Sequence, residues 1–129
     1  EPIRIFNNGD FENDLYRDFT YIDDIIEGVV RLLNRPPVGE IPHKIYNIGN
    51  NKPEKLMTFI SALEKALSNS LGREVVFKKI FEPMKPGDVP ATYASTKALE
   101  KAVGFKPQTP IEVGLQKFAD WYVDFYKVK

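Results

Sequence analysis

The sequence predicts an α/β fold built from short strands and about four helices. Two observations lead to this prediction. Brief runs of β-forming residues occur at positions 3–6, 44–48 and 75–81, and longer segments between and after them repeat apolar residues at helical spacing. A chain of 129 residues has room for one domain with a modest core, so we assign residues 1–129 to a single domain.

The first two predicted helices are bounded by residues that favour helix ends. Asp23 and Asp24 precede the first apolar series and predict an Asp cap, and Pro36 stops the helix shortly before it. Gly28 lies inside this helix, where glycine lowers helix stability, so we expect a close packing contact there. The second apolar series begins near residue 56, and Gly72 ends it.

The last two helices carry similar signals. A short helix is predicted from a cap at Ser95 to residue 103, and Gly104 ends it. For the final helix, Thr109 is the predicted cap, Pro110 the first helical residue and Glu112 the partner in a capping box. The predicted core stripe of that helix is Ile111, Leu115, Phe118, Tyr122 and Phe125.

Composition excludes several classes of function. Eighteen basic and 18 acidic residues cancel, which argues against a nucleic-acid partner or an anionic membrane surface. There is no cysteine, so disulfides, thiolate catalysis and Cys-based metal sites are excluded. His43 is the only histidine and lies between prolines in a connector, which makes a histidine-rich metal site or a Ser-His-Asp triad improbable.

The chain also lacks an apolar run long enough for a membrane span and a signal-peptide pattern. We therefore expect a cytoplasmic protein with no membrane partner. The sequence opens at Glu1 without a methionine and enters a strand-like run at once, as expected for a fragment of a longer protein.

Two loop segments carry groups suited to a phosphorylated ligand. Arg17 leaves a polar loop just ahead of a helix, where its guanidinium can present a planar set of donors to a phosphate. The alternative is an ordinary surface ion pair between Arg17 and Asp18 or another carboxylate.

The second segment is a stiff loop in which Pro86 and Pro90 restrict the backbone on either side of Gly87. Lys85 can meet a phosphate, and Asp88 can accept hydrogen bonds from a diol. The alternative is a plain Pro-Gly turn with solvated charges.

Five motifs occur in order along the chain: NNGD at 7–10, RDFTYIDDI at 17–25, YNIGN at 46–50, PGDVPATYA at 86–94 and LEKAVGF at 99–105. Together they resemble the extended short-chain dehydrogenase/reductase family of NAD-dependent nucleotide-sugar epimerases and dehydratases. The chain is most similar in pattern to the C-terminal, substrate-binding portion of bacterial UDP-glucuronate 4-epimerases.

The resemblance implies a role for each matching residue. The backbone around Phe6 lies against the uracil of a UDP-sugar, Arg17 and Lys85 contact the diphosphate, and Asp88 binds the ribose hydroxyls. Tyr93 is expected to line the ligand loop. Family members often carry Arg or Gln where this chain has Lys85, and the loop at 11–14 is longer than in many relatives.

The resemblance further implies a reaction in which a hydride passes from C4 of the sugar to NAD and returns to the opposite face. The expected NAD-binding Rossmann domain is absent, because no two of the eight glycines lie within three residues of each other. Tyr93 and Lys97 satisfy Tyr-x-x-x-Lys, but Tyr93 precedes the predicted helix, so we interpret this match as a coincidence.

We therefore assign no catalytic residue and no metal to this chain, and we expect it to be inactive alone. The expected whole protein is a cytoplasmic UDP-sugar 4-epimerase, and relatives suggest a homodimer. Two alternatives stay open: a nucleotide-sugar 4,6-dehydratase of the same family, and a non-catalytic interaction or nucleotide-binding module.

Overall fold

The computed structural model describes residues 1–7, 9, 10, 12 and 14–129. Asn8, Phe11 and Asn13 belong to the NNGD motif and to the longer loop noted in the sequence, and they lie outside the described residues. Within the described part, the elements follow in the order β1 (Ile3–Ile5), β2 (Tyr16–Arg17), α1 (Ile22–Leu33), β3 (Glu54–Lys55), α2 (Leu56–Leu71), β4 (Lys79–Phe81), β5 (Ala91–Thr92), α3 (Lys97–Val103) and α4 (Ile111–Tyr126).

The chain forms two compact units. The first comprises Glu1–Arg17, Glu54–Ala91 and Pro110–Lys129, and the second comprises Asp18–Pro53 and Thr92–Thr109. Each unit therefore contains segments that are far apart in sequence. The assignment of all 129 residues to one domain stays a prediction.

Short strands organise one side of the first unit. β1 and β4 pair in parallel, with Ile3 opposite Lys79 and Ile5 opposite Phe81. β2 pairs antiparallel with β3 and stands between β3 and β5 in its own small sheet. Strands of two or three residues contribute few hydrogen bonds, and the core cluster of the unit lies on its helices instead.

Helices α2 and α4 pack against each other and form the core of the first unit. Ala66 and Ala119 are buried at this contact together with Leu115, and the small side chains let the two helices approach closely. Partly buried neighbours complete the cluster: Phe59, Ala62, Leu63, Leu67 and Ile111.

A polar network borders this apolar contact. The Ser70 hydroxyl and the Gln116 amide donate hydrogen bonds to Oδ1 of Asp120, over 2.6 and 2.9 Å. These two bonds favour the ionised carboxylate and hold the pKa of Asp120 below its usual value.

In the second unit, α1 and α3 pack together, and Gly28 lies at a close approach. A Cβ atom at Gly28 would lie 3.1 Å from Cδ1 of Ile48 and 3.6 Å from Cε1 of Phe105. The close contact predicted at this glycine is therefore confirmed, since a larger side chain would displace Ile48.

The predicted helices are confirmed, and two of their ends are as expected. Gly72 and Gly104 both follow the last helical residue in the left-handed conformation, with φ of 64° and 62°. Only glycine enters this conformation at little cost, which explains why the sequence signal was clear.

The predicted side-chain caps are wrong. The residue before α1 is Tyr21, the N-cap of α3 is Thr96 instead of Ser95, and neither helix has a side-chain cap hydrogen bond. In α4, Pro110 occupies the cap position and Thr109 stands one residue earlier, so the capping box with Glu112 does not form. Pro110 has an extended backbone (ψ 147°), which starts the helix one residue later than its pattern indicates.

Two strand predictions need correction as well. Residues 44–48 form no strand among the described residues, and only Lys79–Phe81 of the run at 75–81 is a strand. A β-strand requires a partner that completes its ladder of hydrogen bonds, and sequence pattern alone does not reveal whether a partner is present.

The predicted core stripe of α4 is only half correct. Leu115 is buried and Ile111 packs at the core, but Phe118 and Phe125 are 42% and 63% exposed. The aromatic side chains of the second half of α4 contact one another instead, as in the 5.4 Å separation of the Trp121 and Phe125 ring centroids. Because α4 buries the face that carries Leu115 and Ala119, the exposed aromatic rings of the helix point away from the core.

Helix α1 also exposes apolar residues. Five of them recur at helical spacing along one face: Ile22, Ile26, Val29, Val30 and Leu33. An exposed apolar stripe of this kind marks a surface that another protein surface can cover. Across the described residues, no helix combines the length and apolar character required to cross a membrane.

The contact of Glu64 in α2 with the start of β4 generates a pH prediction. Glu64 pairs with the Lys79 ammonium and accepts the Phe77 N–H over 2.7 Å. Burial raises the pKa of Glu64, but the bonds from Lys79 and Phe77 outweigh it, and the net pKa lies below the ordinary 4.5.

Because the folded state then binds fewer protons than the unfolded chain, the stabilisation from Glu64 is present above pH 4.5 and is lost as the pH falls. We expect denaturant unfolding to find the wild type more stable than Glu64→Gln at neutral pH, with the difference shrinking in acid. The exposed Glu74→Gln serves as control. A difference from wild type that stays constant with pH would contradict this interpretation.

Candidate functional site

The carboxyl ends of β1 and β4 meet at one edge of their parallel pair. Ile5 lies opposite Phe81, and the Glu82 N–H donates to the Ile5 carbonyl over 2.8 Å. Residues that follow each strand therefore leave the sheet at the same edge. In α/β proteins, ligands bind at the carboxyl ends of parallel strands.

Phe6 and Lys85, two of the predicted site residues, come together at this edge. Phe6 follows β1 directly, and the Lys85 Nζ lies 4.5 Å from the centroid of its ring. A cation at this distance from an aromatic ring is attracted by the negative face of the π system. The ring therefore restrains an otherwise exposed ammonium group beside the strand ends.

Asp88 closes the loop that presents Lys85. Its Oδ2 accepts the Lys85 backbone N–H over 2.8 Å, and its own N–H donates to the Lys85 carbonyl over 3.0 Å. Gly87 has φ of 96°, which favours glycine. The segment thus forms a turn that carries both charged side chains at the surface, and its role in ligand binding stays a prediction.

Arg17 belongs to the same unit, at the end of β2. It stands opposite Glu54 in β3, and its Nη1 donates to the Tyr16 carbonyl over 2.8 Å. The Tyr16 N–H in turn donates to the carbonyl of Pro90 over 2.8 Å. This bond joins the strand that carries Arg17 to the end of the loop that carries Lys85 and Asp88.

The fifth predicted site residue, Tyr93, lies in the second unit and is 67% exposed. It lines a shallow cavity of about 250 Å³, together with Asp18, Thr20, Ile48, Gly49, Thr92 and Ala94. Tyr93 precedes the Thr96 cap, whereas Lys97 is the first residue of α3. The two residues of the Tyr-x-x-x-Lys match therefore do not share one face of a helix, in agreement with the interpretation as a coincidence.

Asp18 has a structural role in this cavity. Its Oδ2 accepts the backbone N–H groups of Asn51 and Ala94 over 3.0 and 3.2 Å. A Cβ at Gly49 would come within 2.8 Å of the same oxygen, so the glycine of the YNIGN motif is required by this contact. In the same unit, Asp24 accepts the backbone N–H groups of Gln108 and Thr109, which explains why it caps no helix of its own.

Sequence reasoning missed two buried polar residues of the first unit, Asn7 and Asp14. Both are less than 5% exposed, and the Asn7 Nδ2 donates to Asp14 Oδ1 over 3.0 Å. They lie in a segment that reads as an ordinary polar loop. Only their burial, which the sequence does not display, distinguishes them.

Comparison with known proteins extends over nearly the whole chain. Protein CapI of Staphylococcus aureus is 41% identical over 98% of this chain, and a probable UDP-glucuronate 4-epimerase of Rhizobium meliloti is 38% identical over 98%. These alignments cover 39% and 38% of the two relatives, so the chain spans about two fifths of their length. No family model matches the chain.

Solved structures agree with these relatives. The UDP-glucuronic acid 4-epimerase of Bacillus cereus, solved with UDP-glucuronic acid and NAD, superposes with a TM-score of 0.76 and is 29% identical. The match covers 98% of this chain and 36% of that structure. The chain matches the C-terminal part of the Rossmann-type epimerases. A UDP-glucose 4-epimerase of Bifidobacterium longum, at 20% identity and a TM-score of 0.75, shares the fold.

The predicted fold class and resemblance are therefore confirmed. The strand-to-helix junction from β3 to α2 does not fit the pyrophosphate of NAD. A dinucleotide-binding turn needs a glycine-rich junction between a strand and a helix. Here β3 runs directly into α2 with Lys55 at the cap and no glycine between them.

The loop geometry generates a testable prediction at Gly87. An alanine there is strained at φ of 96°, and we expect it to weaken the Lys85–Asp88 turn by about 1 kcal/mol. Hydrogen exchange of the Lys85 and Asp88 amides should accelerate accordingly. Lys85→Ala is the control, because it keeps both backbone bonds. Unchanged exchange in Gly87→Ala would contradict the assigned turn.

Proposed function

We propose that this chain is the UDP-sugar-binding part of an NAD-dependent nucleotide-sugar 4-epimerase, and that UDP-glucuronate is its substrate. The meeting of Phe6, Lys85 and Asp88 at the carboxyl ends of β1 and β4 carries the proposal. The similarity to UDP-glucuronate 4-epimerases over nearly the full chain favours an epimerase over a 4,6-dehydratase or a non-catalytic module.

In this proposal each site residue recognises one part of the nucleotide. The backbone at Phe6 lies against the uracil, and Asp88 accepts hydrogen bonds from the ribose diol through carboxylate lone pairs not used in its turn. Arg17 and Lys85 supply the positive charge for the diphosphate, and Arg17 alone can offer two parallel N–H donors. Tyr93, in the second unit, stays a proposed substrate-binding residue on the strength of the family resemblance.

The rest of the proposed enzyme supplies what this chain lacks. NAD and the groups that transfer hydride at C4 belong to an N-terminal Rossmann domain outside these residues. We propose that this domain covers the apolar face of α1 formed by Ile22, Ile26, Val29, Val30 and Leu33, and gives residues 44–48 the strand partner that they lack here. Dimerisation of the whole protein and its cytoplasmic location are part of the same proposal.

The proposal is tested on the full-length protein with UDP-glucuronate, with UDP-glucose and UDP-N-acetylglucosamine as competing substrates. We expect the C4 epimer of UDP-glucuronate as the product, and no turnover by the 129-residue chain alone. Arg17→Ala should raise KM by about tenfold to a hundredfold, because it removes charged hydrogen bonds to the diphosphate. Arg73→Ala is the matched control, since Arg73 donates to the carbonyl of Lys129 near the C-terminus.

Three results would contradict the proposal. A 4-keto-6-deoxy product would assign the protein to the dehydratases. Turnover by the isolated chain would place the chemistry on the residues described above. An Arg17→Ala variant with unchanged KM would remove this arginine from the diphosphate site.

A further inference from the structure

Asp14 connects three segments of the first unit through one buried carboxylate. It is 3% exposed. Oδ1 accepts the Asn7 side-chain amide over 3.0 Å and the Leu15 backbone N–H over 2.8 Å, while Oδ2 accepts the Met57 N–H over 2.8 Å. These donors belong to the segment after β1, to the residue before β2 and to the first turn of α2.

The bond to Met57 gives α2 a cap that its own sequence does not supply. Lys55 precedes the helix and makes no side-chain cap bond, and the first turn contains no acidic residue. Helix N-termini carry unpaired N–H groups and a positive partial charge, so a carboxylate from another segment is stabilised there. Asp14 is therefore held by a 16-residue helix that packs on α4.

Asn7 extends the connection to the strand edge that forms the candidate site. Asn7 follows Phe6 directly and is 4% exposed. Besides donating to Asp14, its side-chain oxygen accepts the Gly9 N–H over 3.0 Å, and its carbonyl accepts the Asp10 N–H over 2.9 Å. The turn after β1 and the carboxylate of Asp14 thus belong to one hydrogen-bond network.

Arg17 lies three residues after Asp14, on a strand only two residues long. Its backbone is placed by the pairing of Arg17 with Glu54 and by the bond from the Leu56 N–H to the Leu15 carbonyl over 2.8 Å. A strand this short has little resistance of its own to a shift. The anchor at Asp14 supplies a fixed point between the end of β1 and Arg17.

We propose that Asp14 is a positioning residue that holds Arg17 in place for a diphosphate. Asp14 acts through β2 and touches no ligand. The proposal rests on the proposed function, because it takes the diphosphate of a UDP-sugar as the group that Arg17 binds. In this proposal Asp14 strengthens the binding of the diphosphate, although both groups are negatively charged.

Because both groups are negatively charged, a variant that removes the charge of Asp14 distinguishes positioning from direct electrostatic repulsion. Asp14→Asn keeps the side-chain volume and removes a negative charge from the unit that binds the diphosphate. By charge alone, the variant would bind a phosphate more tightly. If positioning is lost, the variant binds phosphate more weakly. The NH2 group of the amide replaces one carboxylate oxygen, and an NH2 group cannot accept the Met57 N–H.

The test is a double-mutant cycle on the full-length protein, with UDP as the titrant. The four proteins are the wild type, Asp14→Asn, Arg17→Ala and the double variant. We expect Asp14→Asn to weaken UDP binding by about fivefold to fiftyfold when Arg17 is present, and by less than about twofold when it is absent. Asp120→Asn, which removes a negative charge from an exposed carboxylate that bonds Ser70 of α2 and Gln116 of α4, should leave UDP affinity unchanged in both backgrounds.

The possible outcomes distinguish a positioning role of Asp14 from the alternatives. Equal weakening in both backgrounds would overturn the positioning role and make Asp14 a residue of general stability. Tighter binding by Asp14→Asn would overturn it in favour of simple charge repulsion. If the wild type binds no UDP, or if Arg17→Ala binds as well as the wild type, the proposed function fails instead. If Asp14→Asn does not fold, Asn7→Ala replaces it in the same cycle. It removes one bond to Asp14 and leaves the charge in place, so weaker UDP binding that requires Arg17 supports positioning, and equal weakening in both backgrounds overturns it.

Discussion

The parallel pairing of β1 with β4 is the interaction on which the candidate site depends. Three residues on each strand are in register, and the Glu82 N–H continues the ladder to Ile5. The pairing brings Phe6 and the loop after β4 to one edge, although Phe6 and Lys85 are 79 positions apart in the sequence. Without it, neither the contact between Lys85 and the Phe6 ring nor a shared ligand edge would exist.

So short a pair of strands needs support from the helices. Glu64 of α2 bonds Phe77, just before β4, and Lys79, the first residue of β4. Helix α2 itself packs on α4 through Ala66 and Ala119. Asp14 ties the first turn of α2 back to the loop between β1 and β2. The apolar contact of two helices therefore determines where the phosphate-binding candidates stand.

Much of the secondary structure could be predicted because its signals are local. Apolar spacing marked the four helices, and Gly72 and Gly104 marked helix ends through a conformation that other residues avoid. Elements that depend on distant partners were missed or misplaced. Residues 44–48 have the composition of a strand but no partner here, and Asp24 accepts N–H groups of residues 108 and 109 instead of capping α1.

The candidate site shows the same division between residues with a local sequence signal and residues whose role depends on distant partners. Lys85 and Asp88 could be named as candidates because they are charged residues beside proline and glycine, and Arg17 because it leaves a polar loop just ahead of a helix. Family resemblance added Phe6 and Tyr93 as candidates. Asn7 and Asp14 were not identifiable, since an Asn and an Asp in a polar loop read as solvated residues until their burial is known. The aromatic residues of α4 show the converse error, because spacing predicted a core where Phe118 and Phe125 face solvent.

The most direct test of this account is a crystal structure of the full-length protein bound to UDP. The account predicts that the diphosphate lies within hydrogen-bonding distance of the Arg17 guanidinium and the Lys85 ammonium. It also places the ribose at Asp88 and the uracil against the backbone of Phe6. A UDP molecule bound away from the carboxyl ends of β1 and β4, with Arg17 turned from its phosphates, would contradict it.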